Sequence, residues 1–290
     1  MHRVMTFNIR FDNPKDGEHA WEHRKEFVAD VIQYNRAGVI GMQEVLFNQV
    51  KDLDSILTKY TWVGVGREDG ENGGEFNPIF YRNDRFTLVD NNTFWLSESP
   101  SEPGSMGWDA ACPRIVTWVR LRVKNTNKEF FIFNTHLDHQ GTIARLNSAK
   151  LLIDTIQAKV DNCPVLVTGD FNSLRRSGPY QHLTHWNNAA GLRDASEIAT
   201  EGHYGPSTTY IGFEPDFSKN MVIDYIFINK KVSVHRLVAV AIGELAPSEF
   251  CGVNKEVHHK SGHGLDNRHD NIEVLSRSEH QKETLRQMHG

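Results

Sequence analysis

Val165-Leu166-Val167-Thr168-Gly169-Asp170-Phe171-Asn172 is an apolar run that stops at a glycine, an acid, an aromatic ring and an amide. Four apolar or β-branched residues in succession suit a strand covered on both faces, with Pro164 and Gly169 limiting it. Residues two apart in a strand or its extension face one side, so Asp170 and Asn172 present a charged acceptor and an amide together. That pair suits a water and an oxyanion. Gly-Asp and Asn-Ser steps also punctuate ordinary turns, so this stretch by itself reads equally as a turn or as the edge of a site.

Working outward, the same grammar recurs. Val4 to Phe11 alternates as a strand, with Thr6, Asn8 and Arg10 on its polar face. Val39-Ile40-Gly41-Met42 is a short apolar strand that exits into Gln43 and Glu44, and Phe130 to Phe133 exits into Asn134-Thr135-His136-Leu137-Asp138-His139. Met221 to Ile228 carries Asp224 within an apolar run, where a buried carboxylate needs a partner or a metal. Some of these residues have plain readings of their own. Asn8 suits a solvated position, and Glu44 suits the first turn of a following helix, where the dipole favours an acid.

Helical spacing marks residues 22 to 35, Phe47 to Leu57, Thr142 to Val160 and a short segment near Pro179 to His185. Between Thr61 and Val123, short β runs follow one another without helices and predict antiparallel sheet; they include Phe86 to Val89, Phe94 to Leu96 and Ile115 to Val123. A further strand is expected over Val232 to Ile242. The loop from Ser97 to Arg114 is long and rich in proline and glycine, the kind that carries function or moves. Within it Trp108 and Arg114 are candidate substrate contacts, against the plainer readings of a packed indole and a surface guanidinium.

Composition narrows the class. The chain has 290 residues, 39% hydrophobic and 24% charged, and a net charge of −5, so no global positive field draws in nucleic acid. Cys112, Cys163 and Cys251 lack C-x-x-C spacing, which argues against a disulfide framework or a zinc site and for a reducing, cytoplasmic compartment. Secretion would require a leader upstream of this sequence. No apolar run reaches the length of a membrane span. From Asn254 onward apolar residues thin out and six of the fifteen histidines gather, which gives a domain over 1–250 and a polar, His-rich tail over 251–290. A monomer is expected.

Acids, amides and one histidine at strand exits describe a metal-assisted phosphate-ester site. A hard cation such as Mg²⁺, with Mn²⁺ as the alternative, is held by one or two carboxylates and keeps water for phosphate oxygens. Asp170 would orient or deprotonate the attacking water, Asn172 would donate to a non-bridging oxygen, and a histidine would stabilise the transition state.

Six blocks in order carry a resemblance: Thr6-Phe7-Asn8, Gln43-Glu44, Ile79-Phe80-Tyr81, Asn134-Thr135-His136-Leu137, Gly169-Asp170-Phe171-Asn172 and Ile223-Asp224-Tyr225-Ile226. Through them the sequence resembles the endonuclease/exonuclease/phosphatase family from residue 4 to about residue 242. The resemblance implies an α/β four-layer sandwich, two mixed β-sheets packed face to face and flanked by helices, with a Mg²⁺-dependent phosphoesterase site at one end. It makes Glu44 the principal metal ligand with Asn8 beside it, puts Asp170 and Asn172 on water and phosphate, sets His136 against the phosphate, and has Asp224 orient a second histidine. Tyr81 and Arg114 are the expected substrate contacts. The partner is then a phosphate-ester substrate, whether a small molecule, a lipid headgroup or short nucleic acid.

The chain departs from the family at the last block, Ser-Asp-His before an apolar strand. Spacing favours Ser248-Glu249-Phe250, which puts Phe250 where the histidine belongs; Asn267-Arg268-His269 before Ile272 restores a histidine after a long insertion. The expectation is a Mg²⁺-dependent phosphodiesterase or phosphatase, with an impaired relative that only binds a phosphorylated ligand as the alternative.

Overall fold

Two βαβ units set the architecture. Val4–Asn8 (β1) and Val39–Gln43 (β2) pair in parallel across the helix Trp21–Tyr34 (α1), and Glu129–His136 (β7) and Val165–Asp170 (β8) pair in parallel across Thr142–Lys159 (α3). Parallel neighbours need such a crossover, and the amphipathic helix supplies it. The computed structural model describes residues 3–185, 187–200, 208–210, 212–213 and 221–232, and the backbone of strands at 203–204, 237–238, 255–259 and 272–276.

Around the first unit, Phe47–Ile56 (α2), Tyr60–Val63 (β3) and Ile79–Arg82 (β4) complete a four-stranded mixed sheet in the order β1-β2-β4-β3. Around the second, Phe86–Trp95 (β5), Ile115–Val123 (β6), Gly178–Thr184 (α4), Arg193–Asp194 (β9), Ala195–Ile198 (α5) and Asp224–Ile228 (β11) surround a six-stranded sheet ordered β5-β6-β7-β8-β11-β9. Between β9 and β11, His203–Tyr204 (β10) pairs in parallel with Leu237–Val238 (β12).

Burial shows the layers. Val39 and Ile79 of the first sheet pack with Val119, Ile132 and Leu166 of the second, which places the sheets face to face. Val28 and Ile32 of α1 and Val50 and Leu53 of α2 cover the outer face of the first sheet, on Met5, Ile40 and Phe80. Leu152, Ile153 and Leu183 from α3 and α4 cover the second, on Phe133, Val167 and Phe227. The four-layer α/β sandwich expected from the sequence is therefore the fold.

Two expectations change. The runs Phe86 to Val89 and Phe94 to Leu96 are one ten-residue strand, β5, with a register irregularity between Leu88 and Asp90. The polar Asp90-Asn91-Asn92 reads as a turn but lies on the exposed part of an edge strand, where polar side chains are tolerated. The first strand ends at Asn8, because Arg10 turns the chain at φ 57°. Beyond residue 232, Lys255–His259 (β13) pairs antiparallel with Ile272–Ser276 (β14). Phe250, His269 and most of the strand expected over Val232 to Ile242 lie outside the described residues, as does the boundary at 250.

Candidate active site

β1, β2, β7 and β8 lie side by side or face to face and point their C-terminal ends the same way, so their polar exits gather in two successive layers. The inner layer bonds to itself, leaving Gln43 Oε1 without a partner among the described residues. Gln43 Nε2 donates to Asn134 Oδ1 (2.7 Å), Thr6 Oγ1 (3.3 Å) and the Gly41 carbonyl (3.1 Å); Thr168 Oγ1 donates to Asn134 Oδ1 (3.0 Å), and Asn134 Nδ2 donates to the Met42 (2.7 Å) and Pro78 (3.2 Å) carbonyls. These side chains cross from one sheet to the other. Gly41 is required there, because a Cβ would overlap Thr168 Oγ1 and lie 2.5 Å from Asn134 Oδ1.

One step further out the same strands present Asn8, Glu44, His136 and Asp170. Asn8 Nδ2 donates to Glu44 Oε1 (2.8 Å) and to Asp170 Oδ2 (3.1 Å), holding the two carboxylates together. Asn172 Nδ2 donates to His136 Nε2 (3.0 Å) and to the Leu137 carbonyl (3.0 Å), and Asn172 N donates to Asp170 Oδ1 (2.9 Å). Asp224 enters from β11 as the cross-strand partner of Asp170, and its backbone N–H and that of Ile223 donate to Thr209 Oγ1. Three of these turning points are strained: Arg10, Glu44 and Asn172 hold φ of 57°, 60° and 44°. Non-glycine residues in that region persist where the surroundings over-determine them, as at functional sites.

Charged groups lie behind His136. Glu75 Oε2 accepts from Arg67 Nη1 (2.7 Å) and lies 3.9 Å from Arg114 Nη1 and 3.9 Å from His136 Nδ1. Arg114 is buried; its Nε stands 3.7 Å from Asp138 Oδ2 and its Nη2 donates to His139 Nδ1 (3.1 Å). Its Nε makes no hydrogen bond among the described residues, and neither does His136 Nδ1.

Burial and like charge dominate the electrostatics. Burial, reinforced by the Glu44 carboxylate and opposed by the Asn172 and Asn8 donors, pushes Asp170 up to about 6. Burial and the adjacent Asp170 hold Asp224 well above the usual carboxylate range, and burial raises Glu75 against the pull of Arg67. Burial first, then the guanidinium of Arg114, keeps His136 well below its ordinary value and therefore neutral at pH 7. Because Nε2 accepts from Asn172, the imidazole proton sits on Nδ1, on the side of Glu75.

Glu44, His136 and Asp170 offer ligand atoms that all lie within 4.8 Å of one another, and mutually repelling carboxylates in a buried cluster are what a divalent cation neutralises. The donor set fits a metal. A second group, Cys112, Asp138 and His139, is equally tight but is an anchor. Asp138 already accepts from the N–H groups of Ala111, Gln140 and Gly141, and the Arg114 guanidinium stands beside it and His139.

The structure thus brings together Asn8, Glu44, His136, Asp170, Asn172 and Asp224, with Arg114 beside them. Tyr81 does not join them. It pairs with Val39 at the opposite end of the sheet from Glu44 and packs in the core between the sheets, since β4 runs antiparallel to β2. Sequence reading also missed Glu75, Arg67 and Thr209. Glu75 follows Gly73 and Gly74 in an irregular loop and marks no strand exit; the one available signal is its place just before the strand that begins at Ile79.

The description of the Endonuclease/Exonuclease/phosphatase family matches residues 5–245, and the chain belongs to that family. Among solved structures, an endonuclease/exonuclease/phosphatase from Bacteroides vulgatus is 41% identical, covers 81% of this chain and 91% of its own, and superposes with a TM-score of 0.77. A mannosyl-6-phosphatase from Bacteroides thetaiotaomicron is 31% identical over 96% of both chains, with a TM-score of 0.79. Nocturnin from Drosophila melanogaster is 28% identical over 166 residues, 53% of this chain. The chain spans 24% of Nocturnin's length and 36% of another curated relative's. No described helix is long and apolar enough to cross a membrane.

Proposed function

We propose that the protein is a divalent-metal-dependent phosphoester hydrolase, using Mg²⁺ with Mn²⁺ as the alternative, and that it acts as a phosphatase. The observation that carries this reading is the convergence of Asn8, Glu44, His136, Asp170 and Asn172 through direct hydrogen bonds and an ion-pair contact at one end of the two sheets. The name of the Bacteroides thetaiotaomicron neighbour, which matches along nearly the full length of both chains, supports the choice of a monoester.

Glu44 would be the principal metal ligand, with Asn8 setting its orientation and Asp170 close by. The bound metal supplies charge neutralisation and polarisation at the phosphate. Asp170 would take a proton from the attacking water; burial holds its carboxyl at about 6 in the metal-free chain, and a bound cation would draw it down and keep it ionised at neutral pH. Asn172 would donate to a non-bridging oxygen by exchanging one of the two bonds its Nδ2 makes to His136 Nε2 and the Leu137 carbonyl. His136, neutral with its proton on Nδ1 facing Glu75, would stand against the phosphate on its Nε2 side, beside Asn172 and Asp170, and Arg114 supplies fixed positive charge behind it. Asp224 stands where it would orient a second histidine; the two candidates for that position, Phe250 and His269, lie outside the described residues, and Phe250 is the ground for the impaired alternative.

The test is hydrolysis of a panel by the full chain: a hexose 6-phosphate, a nucleoside monophosphate, a glycerophosphodiester, sphingomyelin and a short single-stranded DNA. Phosphate release from the monoesters, abolished by chelator and by Glu44→Ala, is the expected result. Turnover that survives both treatments sinks the metal role, and ligand binding without product establishes the impaired relative.

A further inference from the structure

Four of the five described tryptophans have rings fixed by partners. Trp21 Nε1 donates to Asp52, Trp95 Nε1 donates to the Arg67 carbonyl, Trp62 packs on Phe76 and Phe80, and Trp118 packs on Phe131 and Phe133. Trp108 differs. Its indole is half-buried and makes no ring, cation or hydrogen-bond contact among the described residues, while its backbone is held at φ 56°. A bulky side chain in that region is a conformational outlier.

The loop forces it there. Trp108 N faces Glu98 Oε1 and Oε2 at 3.3 Å, and the preceding Gly107 packs so tightly that a Cβ would lie 2.5 Å from Ser97 Cα. The following Asp109 accepts from the first turn of α3, at Ala144 N (2.6 Å) and Ile143 N (3.3 Å). Two residues later, Ala111 N donates to Asp138, the carboxylate beside Arg114. Asp109 also abuts Gly141, where a Cβ would lie 2.5 Å from the Asp109 carbonyl, two residues after the His139 that accepts from Arg114. The strained residue is therefore fastened to the elements that fix Arg114 and His139 beside His136.

We infer that Trp108 is a specificity-determining platform for the group esterified to the phosphate, and that this group is a sugar ring. The inference rests on the phosphatase reading above. An indole face carries negative quadrupolar charge that attracts the C–H face of a pyranose, and an indole with no ring, cation or hydrogen-bond partner among the described residues keeps that face for a ligand. A nucleobase also stacks on indole. The near full-length match to a mannosyl-6-phosphatase favours the sugar, and the two are separated by experiment.

The test compares the Mg²⁺-loaded full chain with Trp108→Phe and Trp108→Gly on mannose 6-phosphate, a nucleoside monophosphate and ring-free glycerol 3-phosphate. Trp108→Gly is expected to lower kcat/KM for mannose 6-phosphate roughly tenfold or more, through KM, and to leave glycerol 3-phosphate within about twofold. It is also expected to raise Tm, because glycine adopts the positive φ without strain. A purely structural tryptophan would give a lower Tm and equal losses on all substrates. Trp108→Phe keeps a ring and is expected to keep most of the sugar-phosphate activity. Equal losses on ring-bearing and ring-free substrates, or an unchanged KM for mannose 6-phosphate, overturn the inference; a loss confined to the nucleotide overturns the sugar assignment. Calorimetric binding of mannose 6-phosphate to Asp170→Asn, with and without Trp108→Gly, separates this inference from the hydrolase reading. Trp108-dependent binding by a chain that turns over no ester keeps the platform and removes the hydrolase. Turnover of glycerol 3-phosphate with no binding of mannose 6-phosphate does the reverse, and neither binding nor turnover removes both.

Discussion

Two polar layers lie one step apart on the same strands, and they do opposite things. Thr6, Gln43, Asn134 and Thr168 bond to one another across the sheets, and Gln43 Oε1 is their one buried side-chain atom without a partner among the described residues. Asn8, Glu44, His136 and Asp170 are brought together with repelling carboxylates and an imidazole N–H that has no partner among the described residues. In residue type the layers look alike, an amide or hydroxyl beside an amide or acid at a strand exit. What separates them is whether each donor finds an acceptor inside the protein. A satisfied buried network specifies the packing, whereas an unsatisfied one awaits a ligand.

The adjacent residues Gln43 and Glu44 give the sharpest way to break this contrast. Glu44→Ala should lower kcat/KM by roughly 10³-fold with the unfolding transition retained. Should Glu44→Ala unfold the chain while leaving turnover per folded molecule intact, the roles of the layers are reversed. In the inner layer, Asn134→Leu removes the acceptor shared by Gln43 Nε2 and Thr168 Oγ1 and the side-chain donor to the Met42 and Pro78 carbonyls, and should cost about 2–4 kcal/mol in denaturant unfolding while folded molecules still turn over.

Titration of the metal-free chain addresses the outer layer directly. Asp170, Asp224 and Glu75 all have raised carboxyl pKa values, so the folded chain binds more protons than the unfolded one from the ordinary carboxylate range up through the Asp170 value of about 6 and beyond. Stability contributed by these groups is therefore present at low pH and lost as pH rises through that window. His136, kept neutral in the folded chain, works in the opposite sense below its ordinary value. Tm without metal should therefore fall between pH 5 and pH 7.5 by several degrees, less steeply in the lower part of that interval; Mg²⁺ should restore it at the upper end, and Asp170→Asn should flatten the slope. A metal-free Tm that climbs over this interval contradicts the assignment. The smallest effect belongs to Tyr81→Phe, which should leave kcat/KM unchanged and stability within about 0.5 kcal/mol, since Tyr81 packs at the far end of its sheet.

Much of the fold was legible because its strands are long apolar runs that stop abruptly. Val165–Asp170 and Val39–Gln43 end where their sequences turn polar, and Thr142–Lys159 follows its apolar spacing. The gathering of Asn8, Glu44, His136, Asp170 and Asn172 was legible for the same reason, since parallel strands bring their ends to one side, while Asp224 joins them from the start of an antiparallel strand and was legible as an acid in an apolar run. Periodicity carries no information about a loop, so Glu75 and Arg67 stayed hidden. Tyr81 was misplaced because membership of a sequence block says nothing of strand direction, and antiparallel pairing sent it away from Glu44. Asp90-Asn91-Asn92 misled because exposure at a sheet edge and exposure in a turn select the same residues.

Gly41 has one more consequence. By letting Asn134 and Thr168 meet Gln43 between the sheets, it lays a fully buried polar floor beneath the site. Any water that attacks a bound ester must then arrive from the mouth, alongside the substrate, and protons released in the reaction have to leave by that same opening. A larger residue at position 41 would lift this floor, and the first sign would be hydration of the core and faster amide exchange along β2, ahead of any change in the groups above it.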